Sequence, residues 1–136
     1  MLDAKSLNNL KQAHPLLQKV VQQFQIDFPN VQFQINDAQR GRAEQEQAYR
    51  NKTSRAHFGQ SAHNYKPAVA LDIYVKPVQF AKWAPYQMFA KEFLSSAAKV
   101  GVSLTWGGSW TSIKDGPHFE LSDWQARVKR GEVKLL

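Results

Sequence analysis

Cysteine is absent from the 136 residues. That excludes disulfides, thiolate nucleophiles, iron–sulfur clusters and cysteine-ligated zinc, so any metal must be held by His, Asp or Glu. Long apolar runs are missing too. No stretch is long enough to span a bilayer, and the opening MLDAKSLNNLKQAH lacks the apolar core of a secretory signal. The expectation is a protein made in the cytoplasm, with no membrane insertion, which needs something else to let it through if it works outside. Internal repeats and low-complexity linkers are not found, and the length predicts one domain, residues 1–136. Acids are few, 11 against 18 Lys and Arg, giving a net charge of +7. Nucleic acid, an anionic membrane and the anionic bacterial envelope are therefore candidate partners, and charge alone does not choose among them. Scattered Lys and Arg, with no reading-helix motif, weigh against nucleic acid. What the chain does have is apolar mass: 43% hydrophobic residues, with 8 Phe, 4 Tyr and 4 Trp, enough for a core without a staple.

Leu16, Leu17, Val20, Val21 and Phe24 recur at helical spacing, which predicts a helix over 15–27 with Pro15 in its first turn. A shorter helix is expected over Ser6–Ala13. Val31, Phe33 and Ile35 alternate with glutamines as in a half-buried strand. Residues 43–52 are strong helix formers, and 53–67 read as a long loop of the kind that is often functional. The clearest strand is 68–75, with Val69, Leu71, Ile73 and Val75 on one face and Ala68, Ala70, Asp72 and Tyr74 on the other. A second long helix is predicted over 85–100, strands over 102–106 and 118–121, a turn at Gly107-Gly108, and a last helix capped by Ser122 with Gln125. Helices and short strands without βαβ alternation predict an α+β fold: a small antiparallel sheet flanked by helices.

An ionised Asp72 in mid-strand is costly unless paired or metal-bound, and its small neighbours Ala68 and Ala70 leave room beside it. His63 lies just before that strand, and His118 opens another. If the two strands are neighbours, His63, Asp72 and His118 converge as two imidazoles and a carboxylate with one position open, the pattern of a catalytic zinc site. Asp115, across the turn Asp115-Gly116-Pro117, is placed to take a proton from water and hand it to a leaving amine.

Ser61-Ala62-His63, Ala70-Leu71-Asp72 and Asp115-Gly116-Pro117-His118 resemble the SxH…AxD…[DE]xxH pattern of a zinc peptidase superfamily. It includes VanX-type D-alanyl-D-alanine dipeptidases, D-alanyl-D-alanine carboxypeptidases and phage L-alanyl-D-glutamate endopeptidases, and shares its fold with the hedgehog signalling domain. Gln39-Arg40 with Glu44-Gln45 resembles the arginine motif, and Trp106-Gly107-Gly108 the WGG segment. The resemblance implies a Zn2+ ion on His63, Asp72 and His118, with Asp115 as general base. It implies that Arg40 faces an oxyanion or a substrate carboxylate, and that Ser61 bonds substrate or braces its loop. The wide His63–Asp72 gap, the Asp in place of Glu at 115, the short length and the basic charge resemble the endolysin branch. Gly41 departs from the Ser or Thr usual after the arginine. The implied role is a monomeric endolysin, released by a holin-type route to the periplasm, that cuts the L-alanyl-D-glutamate bond of the peptidoglycan stem peptide. A D-alanyl-D-alanine carboxypeptidase or dipeptidase, and a non-catalytic wall-binding module, are the alternatives.

Tyr74 and Trp106 are expected to bind substrate, and Trp110 is a further candidate wall of the cleft. Glu120 shares the face of His118, where it either orients a ligand or pairs with a lysine. His57 is expected at the surface, and His14 at a cap or facing water. Arg127, Lys129 and Arg130 are read as a solvated face.

Overall fold

Leu17, Val20, Val21 and Phe24 are fully buried along the inner stripe of helix α2 (Pro15–Asp27), which begins where the sequence places it. Pro15 needs no N–H in the first turn, and His14 caps the helix, its Nδ1 accepting from the Leu16 amide at 3.1 Å. The computed structural model describes residues 2–79, 82–111 and 114–136. Helix α1 (Ala4–Lys11) starts two residues before the expected helix because Asp3 caps it, accepting from the Ser6 amide. It stops short of Ala13, which is held in a parallel bridge to Ala68.

The sheet has four strands in the order β1 (Phe33–Asp37), β3 (Ala70–Val75), β5 (His118–Leu121) and β4 (Leu104–Trp106), every neighbouring pair antiparallel. A separate pair joins β2 (Tyr65–Lys66) to β6 (Lys134–Leu135). Helix α3 (Arg42–Arg50) precedes the loop, α4 (Ala84–Lys99) lies between β3 and β4, and α5 (Trp124–Lys129) follows β5. The α+β expectation holds. Gly101, at φ +71, ends α4 in the left-handed conformation that glycine adopts without a Cβ clash.

One face of the sheet carries Ile35, Leu71, Ile73, Phe119 and Leu121, all essentially buried. Phe24 of α2 meets Phe33 edge-on and touches Phe89 and Phe93 of α4, while Phe93 lies 4.9 Å from Phe119. Such ring pairs add about 0.5–1.5 kcal/mol each beyond the burial of their area.

Two local expectations fail. Ser122 does not cap α5: its hydroxyl bonds those of Ser103 and Thr105 instead, and Asp123 takes the cap position without a side-chain bond. Ala68 and Ala70 are also fully buried and do not line the cleft, so the room beside Asp72 comes from other neighbours. Ala68 is stitched by its backbone to Gln12 and His14, and Ala70 stands opposite Glu120.

Candidate metal centre and catalytic cleft

Strand period places the site. Because β3 and β5 are neighbours in register, Asp72 stands directly opposite His118, on the face away from the phenylalanines. His63 comes from the 3-10 turn Ala62–Asn64, which Ser61 caps by accepting from the His63 amide at 3.2 Å. The turn is fixed from the other side as well. The His63 carbonyl accepts from the Arg40 amide at 2.7 Å, and the Asn64 side chain donates to the Arg40 carbonyl and to Gln45.

Three atoms then converge. His63 Nε2 lies 3.1 Å from Asp72 Oδ1 and 3.2 Å from His118 Nδ1, and His118 Nδ1 lies 3.2 Å from the same Oδ1. Their remaining nitrogens fix the tautomers. His63 Nδ1 faces the Ala38 carbonyl at 2.7 Å, which can only accept, so Nδ1 carries the hydrogen. His118 Nε2 donates likewise to Glu120 Oε1 at 2.7 Å, and Glu120 Oε2 accepts from the Trp124 indole at 2.9 Å. Two neutral imidazoles so held present bare lone pairs to a carboxylate oxygen, three acceptors that repel unless a cation lies among them. Zinc bonds of about 2.0–2.1 Å in a tetrahedron set neighbouring ligand atoms roughly 3.3 Å apart, so the donor set and its spacing fit the ion. Without a metal, a proton on His118 meets the same demand. Burial lowers the basicity of His118, but hydrogen bonds to Asp72 and Glu120 outweigh it and push the imidazole up to about 10. Burial raises Asp72, yet the two histidines hold its carboxyl well below the usual range.

The other oxygen of Asp72 accepts from Arg40 Nη2 at 3.2 Å. Arg40 also donates from Nε and Nη2 to Asp37 Oδ2 and from Nη1 to Gln45 Oε1. Asp37 reaches this position because the β1–β3 register shifts after Ile35, which sets Asp37 against Asp72. Neither Asp37 nor Gln45 was assigned a role from the sequence. The Asp37-x-x-Arg40 spacing was a readable signal, whereas the burial of Gln45 was not.

Asp115 lines the same cleft, which encloses about 750 Å³, as do Tyr74, Ser61 and Trp110. Burial and the nearby charge of Asp72 raise the Asp115 carboxyl above its ordinary range. The Trp-Gly-Gly segment builds its turn. Gly107 accepts from the Asp115 amide at 3.0 Å, and a Cβ on Gly107 would come 2.5 Å from the Asp115 carbonyl oxygen. Trp106 donates from its indole to the Gly116 carbonyl at 2.7 Å. Trp106 is not on the cleft wall. Its register opposite Phe119 puts it on the other face from His118, where it stacks on Trp83 at 5.5 Å. Trp110 takes the cleft position, its ring 4.9 Å from that of His118. His57 is exposed and pairs with Glu46. His14 does cap its helix, but it is buried, with Nε2 on Glu132 at 2.8 Å.

A family model described as phage L-alanyl-D-glutamate peptidase matches residues 1–122. The chain belongs to that family. It is also similar to the crystal structure of the Serratia marcescens L-Ala D-Glu endopeptidase ChiX. The two are 29% identical, with a TM-score of 0.76 and 93% of each chain covered. The protein is thus an L-alanyl-D-glutamate peptidase acting on peptidoglycan, and His63, Asp72 and His118 form a group that can hold a metal ion. No helix of this peptidase, among the described residues, is long and apolar enough to cross a membrane.

Proposed function

We propose that the peptidase is a zinc endopeptidase that opens the L-alanyl-D-glutamate bond of the stem peptide, with His63, Asp72 and His118 as ligands and Asp115 as the proton carrier. The observation that carries this reading is the meeting of three acceptor atoms within 3.1–3.2 Å of one another, with both outer imidazole nitrogens already bonded. A bound zinc supplies Lewis-acid polarisation of the scissile carbonyl and a more acidic water. Asp115 takes the proton of the attacking water and delivers it to the glutamyl nitrogen as the peptide bond breaks. Its raised basicity suits that transfer.

Arg40 uses four of its five N–H groups on Asp37, Asp72 and Gln45, leaving one for the carbonyl oxygen as negative charge develops there. By holding Asp72 Oδ2 it also turns Oδ1 toward both imidazoles. Ser61, whose oxygen already caps the His63 turn, keeps a hydroxyl hydrogen to donate to the substrate, and Tyr74 flanks the bound peptide from β3. The net charge of +7 favours the anionic wall. The enzyme acts there as a monomer, made in the host cytoplasm and released through a holin-type pore.

Metal analysis combined with mass spectrometry of muropeptides, digested with and without a chelator, tests the reading. The expected result is one bound zinc per chain and chelator-sensitive products with a new alanine carboxylate and a new glutamyl amine. Release of free D-alanine, or cleavage that survives metal removal, overturns it.

A further inference from the structure

The glutamyl residue of the scissile bond has two carboxyl groups. The stem continues through one of them, so the other is a free anion a few bonds from the nitrogen that leaves. An anion entering this cleft meets four acidic residues on its walls, Asp37, Asp72, Asp115 and Glu120, and two arginines, Arg40 and the exposed Arg55. Arg40 is committed to Asp37, Asp72 and Gln45. The guanidinium of Arg55 has no hydrogen-bond, ion-pair or ring partner among the described residues.

The backbone beneath Arg55 is nonetheless fixed. Gln45 is fully buried, and its Nε2 donates to Ser54 Oγ at 3.0 Å and to the Ala56 carbonyl at 2.7 Å, on either side of Arg55. The Ala56 amide donates back to Ser54 Oγ at 3.1 Å. The same Gln45 accepts through Oε1 from Arg40 and from Asn64, the neighbour of His63. One buried amide thus ties the backbone under Arg55 to the arginine and the turn of the metal centre. A cation on the rim of this cleft, with a braced backbone and an unengaged head, is placed to meet an anion that arrives with the substrate. We infer that Arg55 is a specificity-determining residue that binds the free carboxylate of the substrate's glutamyl residue, and that the enzyme discriminates against stems carrying this group as a carboxamide.

The inference rests on the L-alanyl-D-glutamate reading, and its test separates the two. Two synthetic stem peptides, identical except that the free glutamyl carboxyl is an acid in one and an amide in the other, are cleaved by the zinc-loaded enzyme and by Arg55→Gln. The wild type should prefer the acid. Charge-assisted hydrogen bonds of this kind correspond to roughly 10- to 100-fold in kcat/KM. Arg55→Gln should lose most of that on the acid peptide, mainly through KM, lose only a few-fold on the amide, and so erase the preference. Arg55→Lys, which keeps the charge but not the fork, should retain part of it. Arg50→Gln removes a neighbouring cation bonded to Gln47 outside the cleft and should leave the preference intact, separating local binding from general attraction. Equal losses on both peptides, an unchanged preference in Arg55→Gln, or an equal effect of Arg50→Gln overturns the assignment while the peptidase reading stands. Failure of the wild type to cut either peptide overturns both.

Discussion

The two faces of the central sheet use alternate residues of the same strands and depend on different physics. Leu71, Ile73, Phe119 and Leu121 look toward Phe24, Phe89 and Phe93, where area and volume decide and direction matters little. Asp72, Tyr74, His118 and Glu120 look into the cleft, where the carboxylates of Asp72 and Glu120 and both nitrogens of His118 have specific partners and an error of an ångström matters. The lesson is that the apolar face supplies stability and the polar face spends some of it. A carboxylate, two imidazoles and a guanidinium stay in place at the centre of the fold because the packing behind them does not yield. Changes on one face should therefore separate from changes on the other.

The largest separation is expected at Asp115. Asp115→Ala should lower kcat roughly 10²- to 10⁴-fold with metal content unchanged, as read by peptide hydrolysis alongside metal analysis. Substantial remaining activity would break the assignment of Asp115 to proton transfer. Next comes Phe93, fully buried between α2, α4 and β5. Phe93→Ala should cost about 3–5 kcal/mol of unfolding free energy in a denaturant titration, while the folded fraction keeps kcat/KM within a few-fold. A collapse of turnover in the folded fraction would show that the faces are coupled. The smallest effect belongs to Glu120→Gln. The amide oxygen can still accept one of the bonds that Glu120 now receives from His118 and Trp124, so the fold should hold. Metal affinity, measured against a competing chelator, should fall roughly 10- to 100-fold, and an unchanged affinity would make Glu120 a packing residue only.

Periodicity and residue chemistry carried much of this into the sequence. The alternation of 68–75 put Asp72 on the face opposite Leu71 and Ile73, while its meeting with His118 was conditional on the two strands being neighbours, which the register of β3 and β5 supplies. Helix α2 was legible from apolar spacing and α4 from the proline and glycine at its ends, and the place of Asp115 on the cleft from its turn. What did not show was decided by partners far away in the chain. Trp106 reads as a cleft aromatic until its register with Phe119 places it on the opposite side. Ser122 reads as a cap until Ser103 and Thr105 claim its hydroxyl. Gln45, quoted in the sequence only as part of the arginine motif, is the buried brace of the cleft wall. Local chemistry suggests what a side chain can bond, and only tertiary neighbours decide which bond it makes.

The two-stranded pair β2–β6 has a practical consequence. The Leu136 amide donates to the Asn64 carbonyl at 2.9 Å, one residue from the candidate ligand His63, and β6 pairs with Tyr65 and Lys66. The stretch that latches this loop lies beyond residue 122, where the family match ends. Removing residues 123–136 would therefore unlatch the loop that carries His63 to the candidate metal site.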